Sequence, residues 1–352
     1  MKQKKKIYIE IIRILAILCV IFNHTNGFAL YASQKLPSPQ FVVYTAISVC
    51  CKVAVPLFMM ISGGLLLAKD EQISKVWKNR IIKFIVLTVI VSAIYYIHNG
   101  IMYKLSMNFE DFIKKLYSGA VNGHLWYLYM FIAYLISLPL LRKFVHSMDT
   151  KCFVYMFGVA IFFIGILPTV EYLVFDRMYI MNNNMRVAWI VPNVILYPCM
   201  GYFVENQVNK KDIKRVLPWV WMLNVIGIGL SVYMTYKNMI VNPKGNIQEW
   251  LSVYVAINAI CIYMTIKWLL DVKELNKIVV WLSCSLGECT FGIYLIHIII
   301  KDRPYMKELL AKMLSKGYNL MLTYIAFSLI VFAFSYVVVF ILKKIPGIKK
   351  MI

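Results

Sequence analysis

The chain has 352 residues, of which 61% are hydrophobic, and its formal net charge at neutral pH is +22. A soluble protein of this length could not bury so large a hydrophobic fraction. The basic residues are distributed between apolar segments, so the charge indicates a membrane topology, and no nucleic-acid partner is expected.

Apolar segments of about 20 residues, the length that spans a bilayer as a helix, recur along the whole chain. The polar stretches between them are too short to form a further domain. The sequence therefore predicts a single integral-membrane domain, residues 1–352, of the all-α class with about ten transmembrane helices. The predicted spans lie near residues 7–30, 41–68, 80–98, 124–141, 152–170, 187–205, 216–236, 249–270, 278–300 and 319–342.

Basic residues concentrate in the loops that ten spans would place on one side of the membrane, together with the lysines before the first span. Loops rich in lysine and arginine stay on the cytoplasmic side. Both termini are therefore predicted to be cytoplasmic, next to the anionic lipids of the inner leaflet.

The first span contains ionisable residues that a lipid-facing helix ordinarily excludes. Arg13 and His24 are separated by about three helical turns and a rise of roughly 16 Å, so they lie near one face. Glu10 lies one turn before Arg13 on the same side. A neutral imidazole can take a proton from a hydroxyl and return it to a leaving group. These residues are candidate catalytic groups, and a structural histidine with a snorkelling arginine is the alternative.

The second span also carries unusual residues. Lys52 lies well inside the apolar run and needs a partner there. Pro56 removes a backbone donor and can open the helix, whereas Ser62 and the two glycines after it permit close backbone approach. A kinked packing helix with a snorkelling lysine would show the same pattern.

Three later stretches are polar enough to bind substrates. Arg80 and Lys83 end a basic loop that could hold an anion, although positive-inside charge explains such a loop as well. His124 and Trp126 begin the fourth span, where an aromatic face suits a sugar ring and also suits a membrane anchor. The polar loop 171–186 could contact a sugar, and it also resembles an ordinary solvated loop.

Taken together, these motifs resemble the bacterial integral-membrane acyltransferase family three, which includes surface-polysaccharide O-acetyltransferases. The arginine–ten residues–histidine motif of its first helix matches Arg13 and His24, and its preceding acidic residue matches Glu10. Its basic-x-x-Val-Pro stretch, which ends in Ile-Ser-Gly, matches residues 52–63, and its basic loop matches residues 75–83.

Two further motifs extend this resemblance over the chain. The His-Leu-Trp-Tyr-Leu start of helix four, found in one branch of the family, matches residues 124–128, and the Tyr-Leu-x-His of a late helix matches residues 294–297. Some branches carry a glutamate after the helix-four motif, and residues 129–131 offer none. That departure argues against carrying over the acceptor chemistry of the peptidoglycan O-acetyltransferases. Residues 1–352 also include no hydrolase-like domain that would receive the acyl group, so direct transfer to the acceptor is the simpler expectation.

The resemblance implies an O-acyltransferase that uses acyl-CoA, with acetyl-CoA the expected donor, and no metal is expected. It implies an acceptor hydroxyl on a cell-surface glycan or lipid-linked saccharide, and a multi-pass protein of the bacterial plasma membrane that modifies polysaccharides. His24 would act as general base or acyl carrier. The expected site comprises catalytic Glu10, Arg13 and His24; donor-binding Lys52, Ser62, Arg80 and Lys83; and acceptor-binding His124, Trp126 and Tyr127.

Two other functions fit the same sequence. Buried charges and a broken second helix could form a permease for a small solute or a lipid-linked sugar. A membrane sensing or amino-acid-handling module is the third interpretation. His297 is interpreted mainly as structural, and a metal site made by His24, His124 and His297 is disfavoured because the spans offer few carboxylates.

Overall fold

The computed structural model describes residues 6–25, 39–175, 180–182, 185, 187, 192–241, 252–271, 275–349 and 351. The structure is 86% helical, and no strand occurs in these ranges. The predicted all-α class is therefore confirmed. The helices are α1 Ile7–Thr25, α2 Pro39–Cys51, α3 Ala54–Leu66, α4 Ile73–Tyr103, α5 Phe109–Ser118, α6 Gly123–His146, α7 Thr150–Phe175, α8 Tyr197–Asn206, α9 Lys210–Val241, α10 Ser252–Leu270, α11 Lys277–Lys301, α12 Pro304–Ser315, α13 Leu320–Leu342 and α14 Pro346–Lys349.

Within the described ranges, eight helical segments are long and apolar enough to cross a membrane. They are α1, α2 with α3, α4, α6, α7, α9, α11 and α13. The other two predicted spans correspond to α8, which follows a π-helical turn at Pro192–Leu196, and to α10, whose apolar stretch Tyr254–Leu270 is shorter. The chain is thus a multi-pass membrane protein.

Helix α1 lies at the centre of the bundle. It packs against α3, α10, α11 and α13, and Ile12, Ala16, Ile17 and Ile21 are fully buried on it. A helix surrounded by protein can carry charged side chains because neighbouring helices, and not lipid, meet them. This position places the residues of α1 where a membrane-spanning site would need them.

The second span is interrupted between α2 and α3 at Lys52 and Val53. Pro56 lacks the amide that would bond the carbonyl of Lys52, which favours a break at this point. Two amide side chains from other helices bond the last carbonyls of α2, directly before the break: Asn23 donates to the carbonyl oxygen of Cys51 at 2.9 Å and Asn258 donates to that of Cys50 at 3.4 Å. The interruption is therefore stabilised by hydrogen bonds from other helices.

Helices α3 and α8 pack backbone to backbone. A Cβ atom on Gly63 would overlap the backbone of Pro198, and a Cβ on Gly201 would overlap the backbone of Met60. Only glycine permits so close an approach. This contact fixes the inner half of α3, the half farther from the interruption.

A buried carboxylate fastens the beginning of α1. Glu205 on α8 accepts hydrogen bonds from Lys6 at 2.6 Å, from Tyr8 at 2.7 Å and from Tyr263 at 3.1 Å. Its side chain is 2% exposed, so these donors replace the water that a carboxylate would otherwise need. The cluster holds α1 in register with α8 and α10.

Candidate active site

A cavity of about 450 Å³ lies where the end of α1, the beginning of α3 and the beginning of α6 meet, and it is called the outer cavity below. His24, Lys52, His124, Trp126 and Tyr127 line it, so five of the predicted site residues are brought together. Its remaining walls include Asn23, Asn193, Tyr197 and Tyr294.

His24 is held by a second histidine. His24 Nδ1 lies 2.7 Å from His297 Nε2, and His297 Nδ1 lies 2.7 Å from the carbonyl oxygen of Tyr294. Because a carbonyl only accepts, His297 Nδ1 donates, and the Nε2 of a neutral His297 accepts from His24 Nδ1–H. This order leaves the lone pair of a neutral His24 on Nε2, the atom that a general base would use.

His124 lies beside this pair. Its ring centroid is 6.1 Å from that of His24 and 5.3 Å from that of His297. Asn122 Oδ1 accepts from His124 Nδ1–H at 2.8 Å, whereas His124 Nε2 is buried without a hydrogen-bond partner in the described structure. Tyr294 donates its hydroxyl to the carbonyl oxygen of His124 and thereby fixes the beginning of α6 against α11.

A second cavity of about 400 Å³, called the inner cavity below, lies along α1 towards its first turn. Arg13 lines it, and Arg13 Nη1 bonds the Glu10 carboxylate at 3.0 and 3.1 Å, as the spacing of one turn predicts. Glu10 itself is buried and lies against Gly287, where a Cβ would overlap its carboxylate. Ser62 also lines the inner cavity, and its hydroxyl donates to the carbonyl oxygen of Phe58 at 2.8 Å.

A third cavity of about 230 Å³, called the basic cavity below, is lined by Arg80 and Lys83 together with Asn79. The three cavities share walls. Val20, Val55, Tyr127 and Tyr294 line both the outer and the inner cavity, and Phe84 and Phe131 line both the inner and the basic cavity. The cavities therefore form a series that runs from the basic residues, past Arg13, to His24.

The structure separates residues that the sequence grouped together as donor-binding. Ser62 lies in the inner cavity and Arg80 and Lys83 lie in the basic cavity, but Lys52 lies with the histidines at the other end of the series. The second span runs opposite to the first, so a residue in its first half lies near the end of α1. That reversal of direction is the signal from which the position of Lys52 could have been found.

Arg80 does not present a bare charge to the basic cavity. Glu71 accepts from Arg80 at 2.6 and 3.0 Å and from Arg142 at 2.7 Å, a carboxylate that sequence reasoning missed. The hydrogen bond from Arg80, supported by that from Arg142, lowers the pKa of Glu71 to about 2, so the carboxylate is ionised at neutral pH. Lys83, which is exposed, has no salt bridge within the described residues.

The candidate acceptor residues differ in exposure. Tyr127 is buried, with its ring 5.3 Å from that of Tyr294, whereas Trp126 is 44% exposed at the edge of the outer cavity. Of the polar loop 171–186, Glu171 is buried and accepts from the amide of Met181 at 2.8 Å. Residues 176–179, 183, 184 and 186 of this loop lie outside the described ranges, and they include Asp176, Arg177, Asn183, Asn184 and Arg186.

The contribution of His297 to the site could not be read from its neighbours in the sequence. It is separated from His24 by 273 positions and lies in an apolar helix, where a histidine is usually structural. Among the described residues, no group of three histidine, cysteine, aspartate or glutamate side chains is arranged to hold a metal ion.

A comparison with protein-family models finds one described as an acyltransferase domain, which matches residues 6–343. The match extends from α1 through α13 and includes every lining residue of the three cavities except Met351 of the basic cavity. No curated protein and no solved structure matches the chain significantly.

Proposed function

The chain belongs to acyltransferase family 3, and we propose that it moves an acyl group from cytoplasmic acyl-CoA to a hydroxyl of a cell-surface glycan or lipid-linked saccharide. Acetyl-CoA is the expected donor and the bacterial plasma membrane the expected location. The enzyme would thus O-acetylate a polysaccharide or its precursor on the outer side.

The observation that carries this proposal is the series of cavities, whose two ends differ in chemistry: one end is basic and the other holds a histidine pair. The basic end suits the phosphates of a coenzyme A donor, because lysine and arginine bind phosphate well. The inner cavity suits its extended arm, and the outer end holds a histidine whose Nε2 is unprotonated in the neutral pair. This arrangement supports transfer of a group through the protein more than transport of a whole solute.

In the proposed reaction, His24 Nε2 takes the proton of the acceptor hydroxyl while the hydroxyl oxygen attacks the thioester carbonyl carbon. The intermediate then collapses, the carbon–sulfur bond breaks and the thiolate takes the proton from His24. The products are the ester and free coenzyme A. His297, which accepts from His24 Nδ1–H at 2.7 Å, would hold the imidazole in the tautomer that this step needs.

Arg13 and Ser62 would contact the arm of the donor in the inner cavity, with Glu10 orienting the guanidinium. Arg13 is 29% exposed in its side chain, and this exposed part lines the cavity, whereas the Glu10 side chain is 7% exposed. Glu10 therefore fixes Arg13, and Arg13 remains able to meet a ligand. At the outer end, Trp126 and Tyr127 would pack against the acceptor sugar.

The proposal is tested by reconstituting the full chain in vesicles with labelled acetyl-CoA and a bacterial membrane fraction as the acceptor. His24→Gln should lower acyl transfer by about 10²- to 10⁴-fold, the usual contribution of a general base. His146→Gln is the matched control, because His146 bonds the carbonyl oxygen of Leu67 at 2.9 Å and lines none of the three cavities. Solute uptake without thioester turnover, unchanged in His24→Gln, would contradict the proposal.

A further inference from the structure

The first turn of α3 forms one wall of the outer cavity. Lys52, Ala54, Val55 and Pro56 all line this cavity, directly after the interruption of the second span. The wall thus combines a cationic side chain with the beginning of a helix of 13 residues.

Lys52 has no carboxylate partner in the described part of the chain, and no aspartate or glutamate lines the outer cavity there. Its side chain is half-buried within a candidate membrane span. A cation in such a place is costly unless an opposite charge meets it. The geometry therefore calls for a negative group supplied by a ligand.

The backbone at this wall also favours negative charge. The first amides of a helix have no intrahelical acceptor, and the helix dipole adds partial positive charge at that end. In α3 the amide of Leu57 is bonded to the carbonyl oxygen of Val53 at 2.9 Å. Pro56 has no amide, so Ala54 and Val55 carry the remaining amides of the first turn. The last carbonyls of α2 accept hydrogen bonds from Asn23 and Asn258. Their partial negative charge therefore cancels less of the partial positive charge at the beginning of α3.

A second, independent feature of the cavity points to a ligand. His124 is 5% exposed, lines the outer cavity, and has a buried Nε2 without a partner in the described structure. Since its Nδ1–H donates to Asn122, Nε2 carries a lone pair and accepts. The ligand of this cavity should therefore offer both a hydroxyl donor, for His124, and a negative oxygen, for Lys52.

We propose that Lys52 and the first-turn amides of α3 form the oxyanion site of the acyl transfer, which makes Lys52 a catalytic residue. The inference rests on the function proposed above. When the hydroxyl oxygen attacks, the electron pair of the C=O bond moves onto the carbonyl oxygen, and the Lys52 ammonium and the amides stabilise that oxygen. When the intermediate collapses, the pair reforms C=O, the carbon–sulfur bond breaks and the thiolate leaves. Lys52 gains and loses no proton in this sequence.

This role differs from the donor-binding role expected of Lys52 from the sequence. The phosphates of the donor would lie at the basic cavity, at the opposite end of the series from Lys52. An oxyanion donor acts on the transition state, so its loss lowers kcat by about 10²- to 10³-fold. A phosphate contact acts on binding, so its loss raises the donor KM and leaves kcat unchanged.

The test compares Lys52→Met and Lys52→Arg with the wild type, each full length and in vesicles, with acetyl-CoA as the probe. Both acyl transfer and thioester hydrolysis are measured. Lys52→Met should lower kcat by about 10²- to 10³-fold, with the donor KM changed by less than about threefold, and Lys52→Arg should recover part of the loss because it keeps the charge. Melting temperature and gel-filtration profile confirm that each variant is folded.

Lys301→Met is the matched control. Lys301 bonds the carbonyl oxygen of His24 at 3.4 Å and pairs with Asp302 at 3.4 Å, but it does not line the outer cavity. Removing it deletes a nearby cation without touching the proposed oxyanion, so kcat should stay within about threefold of the wild type.

Three results would overturn the inference. An unchanged kcat in Lys52→Met removes the catalytic role, a raised donor KM alone makes Lys52 a donor contact, and a raised acceptor KM alone makes it the partner of an anionic acceptor. His24→Gln separates this failure from that of the proposed function. Turnover that depends on His24 but not on Lys52 would contradict only the oxyanion site. Turnover that depends on neither residue would contradict both the oxyanion site and the proposed function.

Discussion

The two ends of the cavity series differ in whether their positively charged side chains are paired with a carboxylate. At the basic end, the carboxylate of Glu71 accepts from both Arg80 and Arg142, so two guanidinium groups share one counter-charge. At the outer end, no carboxylate lines the described walls, and Lys52 faces histidines that hydrogen-bond one another or a neutral amide.

The difference separates charge that holds the protein together from charge that is left for a ligand. Arg142 also donates to the carbonyl oxygen of Leu66 at 3.0 Å, so the Glu71 cluster fastens the loop after α3 to α6. A cation satisfied in this way has little capacity left for substrate. At these two ends, Lys52 and Lys83 are therefore the cations that the proposed reaction would use, whereas Arg80 is already paired with Glu71.

The largest expected effect after those of His24 and Lys52 comes from breaking the histidine pair. His297→Leu removes the acceptor of His24 Nδ1–H, so His24 loses its preferred tautomer and kcat should fall on the order of 10²-fold. His297→Gln places an amide oxygen near the position of Nε2 and should restore part of the loss. Steady-state kcat and KM for acetyl-CoA check this, and equal kcat values in wild type and His297→Leu would refute it.

Glu71→Gln removes the carboxylate that pairs with Arg80 and Arg142 at the basic end, and it should lower the stability of the protein. The three charge-assisted hydrogen bonds that Glu71 accepts are weakened, so the free energy of unfolding at pH 7 should fall by about 1–3 kcal/mol. The pKa of Glu71 is lowered to about 2 by the bonds from Arg80 and Arg142, so its contribution is present above about pH 4.5 and is lost as the pH falls towards 2.

Thermal melting in detergent between pH 7 and pH 2 measures this effect. The wild type should lose melting temperature on acidification faster than Glu71→Gln does, and the two curves should converge at low pH. Glu110→Gln, an exposed carboxylate on α5, is the control and should follow the wild-type curve. Parallel curves for wild type and Glu71→Gln would show that the carboxylate contributes nothing.

The smallest effect is expected at Lys83, which would contact the donor from an exposed position. Lys83→Ala should raise the KM for acetyl-CoA by about three- to tenfold at low salt, and the difference should shrink at high salt because exposed charges are screened. Lys78→Ala is the control, since Lys78 is exposed in the same basic stretch and does not line the basic cavity. Equal KM values for the two variants would remove Lys83 from the donor site.

The sequence was sufficient where the relevant interactions are local or repetitive. Apolar runs of bilayer length predicted the helices, and a spacing of one turn predicted the pair between Glu10 and Arg13 that the structure contains. Both signals depend only on helical periodicity and on the cost of polar groups in lipid.

Contacts between distant segments could not be predicted in the same way. The pairing of His24 with His297 joins α1 to α11, and Glu71 meets Arg142 across 71 positions. Such pairs depend on how helices pack around α1, which one sequence does not specify. The position of Lys52 is an intermediate case, because the alternating direction of successive spans already implies its depth.

The aromatic rings shared by the outer and inner cavities bear on the electrical barrier of the membrane. A continuous column of water between the two sides would let ions discharge a membrane potential worth about 2.3 kcal/mol per elementary charge at 100 mV. Tyr127 and Tyr294, with ring centroids 5.3 Å apart, line the junction of the two cavities. An ion would have to shed its hydration shell to pass such rings, whereas a small uncharged group would not. The proposed acyl transfer would then move a chemical group outward while the cell keeps its membrane potential.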